Sequence, residues 1–126
     1  MEALAIVIHN KSDALVVDER TLRLLVENPK NLAKLLEHRL HTKVKINEKA
    51  LNEFKKNMVN VNILRSTELA VVAYDMGILD RFITANKKIY KEFRSTLLEG
   101  ALWGLKLRGC AISSNEIKEI MKLKGF

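Results

Sequence analysis

The sequence predicts an α/β fold in which a small, mostly parallel sheet is flanked by helices and followed by an all-helical C-terminal segment. Two observations predict it. Apolar runs of strand length, the first at 14–17, alternate with segments whose apolar residues recur every three or four positions, an order typical of parallel sheets covered by helices. From Asp80 onward only the helical spacing remains. We expect one domain over 1–126, with an α/β portion at 1–79 and a helical tail at 80–126 packed on it.

The composition narrows the class of protein. The 126 residues carry 22 Lys and Arg against 15 Asp and Glu, a formal net charge of +7. This excess favours phosphate-bearing partners, although it is also common in proteins that bind no nucleic acid. The single cysteine, Cys110, excludes an internal disulfide and predicts a buried side chain. Without a membrane-length apolar stretch or a signal-like N-terminus, we expect a cytoplasmic protein with no membrane contact.

The first part of the chain predicts helices separated by short strands. Residues 2–9 predict a mostly buried helix, and the apolar run 14–17 predicts a strand buried on both faces. The predicted elements that follow are a helix at 21–27, a helix capped by Asn28 and begun by Pro29, a strand at 42–46, a helix capped by Asn47, a strand at 59–64, and a helix capped by Ser66 and ended by Gly77. The inward face of that last helix is predicted at Leu69, Val72, Ala73 and Met76.

The C-terminal part predicts a long helix and a final short one. The inward face of the long helix is predicted at Tyr90, Phe93, Leu97, Ala101, Gly104 or Leu105, and Arg108, before Gly109 ends it. Ser113 and Glu116 have the spacing of a capping box, in which each side chain accepts a hydrogen bond from the other residue's backbone. The final helix is predicted to direct Ile117, Ile120 and Met121 inward.

Acidic residues lie where the first strand gives way to a helix. Asp18 and Glu19 follow the strand, and Glu2 opens the preceding helix. A right-handed α–β unit brings the start of such a helix and the end of the strand to one edge of the sheet. Clustered carboxylates are what Mg²⁺ or Mn²⁺ requires, and the ion then activates water and binds a scissile phosphate. Acids at such positions are more often solvated helix caps, so both interpretations stay open.

Two other groups of residues are candidate sites. Arg20 and Arg23 follow the acidic edge and are candidates to hold a phosphate there, whereas the remaining basic residues are interspersed and predict solvated faces. His38 and His41 share a helix face, but without a third ligand nearby they indicate contact with the helix C-terminal dipole rather than a metal.

Residues 1–8, Met-Glu-Ala-Leu-Ala-Ile-Val-Ile, and residues 13–20, Asp-Ala-Leu-Val-Val-Asp-Glu-Arg, resemble the second half of a PIN domain of the prokaryotic, especially archaeal, kind. Residues 105–113 resemble the tail that many such proteins carry. The resemblance implies a Mg²⁺- or Mn²⁺-dependent ribonuclease, a class that includes toxins of toxin–antitoxin pairs, and hence RNA and an antitoxin-type protein as partners. It maps the metal-binding and catalytic acids onto Glu2 and Asp18, with Glu19 as an auxiliary acid.

The sequence departs from the PIN pattern at two points. The family's first strand with its Asp, and a helix with another acid, should precede Glu2; Val17 stands where a hydroxyl residue often precedes the strand-end acid. We therefore expect a fragment of a longer protein or a degenerate PIN relative. A sheet without its first strand has an unpaired apolar edge, which predicts a homo-oligomer. The alternative function is a non-catalytic nucleic-acid-binding or oligomerisation module.

Overall fold

The computed structural model describes residues 2–83 and 90–126. The chain divides into two compact units, 1–64 and 65–126. The predicted single domain with its internal boundary at 79/80 stays a prediction. The part of the predicted long helix that would cover 84–89 lies outside the described residues. Within the described part, no helix has the length and apolar character needed to cross a membrane.

The first unit is a mixed α/β structure. Its elements are α1 (Glu2–His9), β1 (Ala14–Val16), α2 (Arg20–Glu27), α3 (Pro29–Leu40), α4 (Glu48–Met58) and β2 (Asn62–Leu64). The two strands pair in parallel, with Leu15 opposite Ile63. The ladder continues at both ends, because the N–H of Val17 donates to the Leu64 carbonyl at 2.7 Å and that of Asn62 donates to the Asp13 carbonyl at 2.9 Å. The predicted parallel sheet with flanking helices is thus confirmed as a class, reduced to two strands.

The predicted strand at 42–46 is wrong, since residues 43–47 form a loop. The N–H of Val44 donates to the Glu37 carboxylate at 3.1 Å and not to a neighbouring strand. The alternation that suggested a strand nevertheless persists: Val44 and Ile46 are half-buried, and Lys43 and Lys45 are exposed. Alternating apolar and polar residues indicate that one side of an extended segment is buried. A β-ladder additionally needs a second strand with which the segment can pair.

The prediction that the first strand is buried on both faces is wrong. Ala14 and Val16 share one side of β1 and are both exposed, Val16 at 47%, while Val17 just beyond the strand is buried. Helix α1 packs against β1 but buries only Leu4 and Val7, so the prediction of a mostly buried helix is also wrong. The strand predicted at 59–64 starts later than expected, at Asn62.

The second unit is helical in its described part. It contains α5 (Ser66–Asp75), a 3₁₀ helix (Ile78–Phe82), α6 (Tyr90–Leu107) and α7 (Ser114–Leu123). The predicted ends are confirmed at Gly77 and Gly109, whose φ values of 72° and 102° favour glycine. The capping box of Ser113 and Glu116 is also confirmed. The start of α5 differs by one position, because Arg65 is its cap and Ser66 is the first helical residue.

The core of this unit joins α5, α6 and α7. It consists of Tyr74, Leu98, Leu102, Ile112, Ile117 and Met121, and Cys110 is buried as predicted. Two predicted faces are wrong. On α5, Leu69, Val72 and Met76 are exposed, and the buried positions are Thr67 and Tyr74. On α6, Leu98 and Leu102 are fully buried, each one residue after the predicted Leu97 and Ala101. Adjacent apolar pairs fit two helical faces equally well, so spacing alone did not choose between them.

Arg65 fastens the start of α5 to the start of α7. Its Nε lies 3.0 Å from Glu68 Oε1, and its Nη1 lies 3.0 Å from both Glu116 Oε1 and the Ala111 carbonyl oxygen. Burial alone would raise the pKa of Glu116. Hydrogen bonds from the Ser113 N–H and from Arg65 outweigh it, so the pKa is lowered. The guanidinium therefore has a structural role inside this unit.

Truncating the core of α6 tests this packing. Leu98→Ala removes a fully buried side chain and is expected to lower the free energy of unfolding by about 2–5 kcal/mol, because it leaves a cavity among close-packed neighbours. The control is Leu107→Ala on the same helix, where the side chain is 83% exposed and the expected change is within about 0.5 kcal/mol. Urea denaturation measures both, and similar losses in the two variants would contradict the assigned core.

Candidate functional site

Glu19 is a helix cap. It precedes α2, and its two carboxylate oxygens accept hydrogen bonds from the backbone N–H groups of Thr21 at 2.8 Å and Leu22 at 2.7 Å. Burial alone would raise the pKa of this carboxyl. The two backbone hydrogen bonds, with a contribution from Arg39, outweigh it, and the pKa is lowered. Of the two interpretations left open for the acids after β1, the cap accounts for the contacts of Glu19.

Glu2 and Asp18 are the acids predicted to meet at one end of the α1–β1 pair. Glu2 is the exposed first residue of α1, and Asp18 is half-buried two residues after β1. Since α1 contacts β1 and only residues 10–13 connect them, we infer that the helix runs back along the strand. We infer that its beginning lies towards the strand's carboxyl end. The metal-binding and catalytic roles of these two acids stay predictions.

The described residues do not supply a complete set of metal ligands by themselves. Across residues 2–83 and 90–126, no three His, Cys, Asp or Glu side chains gather so as to hold a metal ion. Mg²⁺ and Mn²⁺ need several oxygen ligands, and both oxygens of Glu19 already accept backbone hydrogen bonds. Glu2 and Asp18 are the other two acids of the predicted set, and their role in holding a metal ion stays a prediction.

The predicted phosphate contacts differ from each other in their surroundings. Arg20, the first residue of α2, is exposed. Arg23 lies one turn later, and its Nε is 3.3 Å from a carboxylate oxygen of Glu27. His38 and His41 lie at the C-terminal end of α3, with ring centroids 6.5 Å apart, and His41 caps the helix with φ 51°.

The two units use their cations differently. In residues 2–64, every Lys and Arg except Arg23 is exposed. In the second unit, Arg65 and three further cations make short contacts within the unit. These are Arg94 with Asp80 at 2.8 Å, Lys106 with the Ile112 carbonyl at 2.8 Å, and Lys124 with Asp75 at 2.6 Å. An exposed cation that is not consumed by internal pairing is available to an anionic partner.

Most exposed cations of the first unit lie in residues 29–56, which we call the basic segment. This stretch contains eight Lys and Arg against three Glu, so it carries +5 of the chain's net charge of +7. The cations are Lys30, Lys34, Arg39, Lys43, Lys45, Lys49, Lys55 and Lys56, and all are exposed. Their exposure agrees with the solvated faces predicted for them, and a charge count over this window separates them from the other cations.

The basic segment also contains an apolar groove. The α3–α4 groove has a volume of about 330 Å³ and is lined by Leu25, Pro29, Leu32, Ala33, Leu36, Val44, Ile46, Asn47, Ala50, Leu51 and Phe54. The two helices that form its walls are capped at their N-termini. Asn28 Oδ1 accepts a hydrogen bond from the Asn31 N–H, and Asn47 Oδ1 accepts one from the Ala50 N–H. The sequence carried a signal for this groove. Pro29, Leu32, Ala33 and Leu36 have the same helical spacing as Asn47, Ala50, Leu51 and Phe54.

Comparisons with known proteins add no assignment to this geometry. The chain matches no protein-family model, and the searches of curated proteins and of solved structures give no significant match. The resemblance to PIN domains therefore stays a prediction.

Replacing the Glu19 carboxylate tests its capping role. Glu19→Gln keeps the size of the side chain but removes the charge beside the N-terminus of α2. We expect it to lower the free energy of unfolding at pH 7 by about 0.5–1 kcal/mol. Because folding lowers the pKa of Glu19 from its ordinary value of 4.5, its stabilisation is complete above that value and is lost as the pH falls through the folded-state pKa.

The measurement is urea denaturation of the wild type and of Glu19→Gln between pH 7 and the acid range. The difference between them should shrink towards zero at the acid end. Glu53→Gln, which changes an exposed carboxylate within α4, is the matched control and should differ little from wild type at any pH. A Glu19→Gln effect that does not change with pH would contradict the charged cap.

Proposed function

We propose that the chain is a PIN-like, non-catalytic module that binds RNA through phosphate contacts made by residues 1–64. The observation that carries this proposal is the exposed basic segment, with its net charge of +5. Lysine and arginine side chains bind the phosphate backbone by displacing condensed counterions, which needs neither a metal nor a shaped pocket. Arg20, exposed at the start of α2, is proposed as a further phosphate contact.

The capped acidic edge supports binding over cleavage. Metal-dependent hydrolysis requires carboxylates held for an ion and its attacking water, whereas both oxygens of Glu19 are used by the backbone of α2. Phosphate binding by exposed lysines makes no such demand. RNA binding by this module is therefore expected to persist when Mg²⁺ is left out and a chelator is present.

Removing two cations from the basic segment tests this function. Lys55→Ala/Lys56→Ala is expected to weaken binding of a labelled single-stranded RNA and to flatten the slope of log K against log salt by about 1.4, since each phosphate contact contributes about 0.7. Both side chains are exposed in the last turn of α4. Fluorescence anisotropy over a salt series measures the slope.

The matched control is Lys118→Ala/Lys122→Ala, which removes the same charge from exposed positions on α7 in the second unit. It should leave the salt slope close to that of the wild type. An equal loss in both double variants would mean that net charge alone governs binding, and the proposed role of residues 1–64 would then be wrong. Circular dichroism confirms that both variants fold.

A ribonuclease is the second candidate, favoured by the inferred position of Glu2 and Asp18 at one end of the α1–β1 pair. On this hypothesis Asp18→Asn abolishes cleavage of single-stranded or hairpin RNA in Mn²⁺, because an amide cannot replace the charge of the carboxylate. Asp13→Asn, an exposed acid at the other end of β1, is the control and should keep the wild-type rate. Gel analysis of labelled RNA measures cleavage, and activity that survives Asp18→Asn would rule out the assignment.

Two expected partners also stay proposals. A homo-oligomer is supported by the sheet itself, since each of its two strands pairs with only the other within the described residues, and free strand edges favour further pairing. An antitoxin-type protein partner follows only from the resemblance to PIN domains.

A further inference from the structure

We propose that the α3–α4 groove binds an acidic amphipathic helix of a partner protein. This inference goes beyond the proposed RNA function and does not depend on it. It rests on three properties of the groove, namely its helical spacing, its apolar lining and the charge of the segment that surrounds it.

The spacing of the lining fits a helix. On α3 the lining runs from Pro29 to Leu36 and on α4 from Asn47 to Phe54, in each case two turns, or about 10 Å at a rise of about 1.5 Å per residue. Val44 and Ile46 from the connecting loop complete the lining. Helices bound in grooves insert side chains spaced i, i+3 or i+4, and i+7, which is the reach that two turns provide.

The lining favours an apolar protein segment over nucleic acid. Among its side chains only Asn47 is polar, and the Asn47 carboxamide oxygen accepts the Ala50 N–H as a helix cap. Phe54 is its single aromatic ring, whereas proteins that hold single-stranded bases stack several of them on aromatic side chains. Ala33 and Ala50 leave room between the two helices, and the volume of about 330 Å³ lies in the range of binding sites for small groups of side chains or ligands.

The surrounding charge selects an acidic partner. The basic segment that forms the groove has a net charge of +5. In the loop, exposed Lys43 and Lys45 alternate with the lining residues Val44 and Ile46. A helix with glutamates beside its apolar stripe is thus complementary in charge as well as in shape. A second copy of this chain carries the same net charge of +7 and is disfavoured as the occupant by like-charge repulsion.

The experiment uses the full chain and a synthetic peptide as the probe. The peptide has leucines at i, i+3, i+4 and i+7 and glutamates at most other positions, with a fluorophore at one end. Its control has the same composition in an order that destroys the apolar stripe. We expect the amphipathic peptide to bind in the micromolar range and the reordered one to bind at least about tenfold more weakly, since charge alone does not fill the groove.

Two substitutions on one helix locate the site. Ala33→Glu places a carboxylate at a half-buried lining position of α3, and Lys34→Ala changes the exposed neighbour. Each lowers the net charge by one. Ala33→Glu is expected to weaken peptide binding at least about tenfold and Lys34→Ala less than about threefold, because only the first introduces a charge into the apolar contact. Thermal melting followed by circular dichroism verifies that both variants are folded.

Three results would overturn the proposal. One is equal binding of the two peptides, which means that the contact is electrostatic without a groove. Another is a chain that sediments as a dimer and becomes monomeric in Ala33→Glu but not in Lys34→Ala, which assigns the groove to a second copy. The last is weakened binding of a single-stranded RNA in Ala33→Glu but not in Lys34→Ala, which assigns the groove to RNA. A lack of RNA binding by the wild type would contradict the proposed function alone.

Discussion

The parallel pairing of β1 with β2 is the constraint on which the first unit depends. β1 and β2 have three residues each, and their pairing brings together the two ends of the connection formed by residues 17–61. Closing a connection of that length has a substantial cost in chain entropy. So few ladder hydrogen bonds do not offset that cost alone. Packing of α2 on α3 and the caps at the starts of the intervening helices add stabilising contacts within this connection. Helices α3 and α4, and hence the groove between them, belong to this closed connection.

The polar residues that begin these helices are used for structure. Glu19, Asn28 and Asn47 each accept backbone N–H groups at the start of α2, α3 and α4. An unsatisfied N–H at a helix start costs free energy. Helix capping is therefore enough to explain an acid at the end of a strand, without a catalytic or metal-binding role. The cations divide in a comparable way. Arg65 and Arg94 hold parts of the second unit together, whereas the lysines of the basic segment are exposed.

The features that the sequence predicted well have a local cause. Asn28 and Pro29, the Ser113–Glu116 box, and Gly109 each act through their own backbone within one turn, and the structure has the corresponding helix ends. The features that it predicted poorly depend on residues distant in the chain. The strand at 42–46 lacked a partner. The faces of α5 and α6 were decided by which of two adjacent apolar residues, such as Leu97 or Leu98, met the other helices.

In the candidate site, too, the features with a local cause were the ones that the sequence predicted. The sequence located Glu19 correctly between strand and helix but could not tell a cap from a metal ligand, since both need a carboxylate at that place. The groove was within reach of sequence analysis, because both of its walls repeat one spacing. The predicted strand at 42–46 conceals it, because a strand there would direct α3 and α4 to a sheet and not to a shared groove.

The two proposed ligands share one surface, and this has a thermodynamic consequence. RNA and an acidic helix are both anionic, and both are proposed to use the cations of the basic segment, so the binding of one reduces the affinity for the other. Linkage requires that the factor be the same in both directions. Only the apolar groove distinguishes the two, since RNA gains nothing from Ala33 and Leu36 while an amphipathic helix does. An acidic protein partner would therefore act as a competitor of RNA whose own affinity depends less on salt, because part of its binding free energy comes from apolar burial.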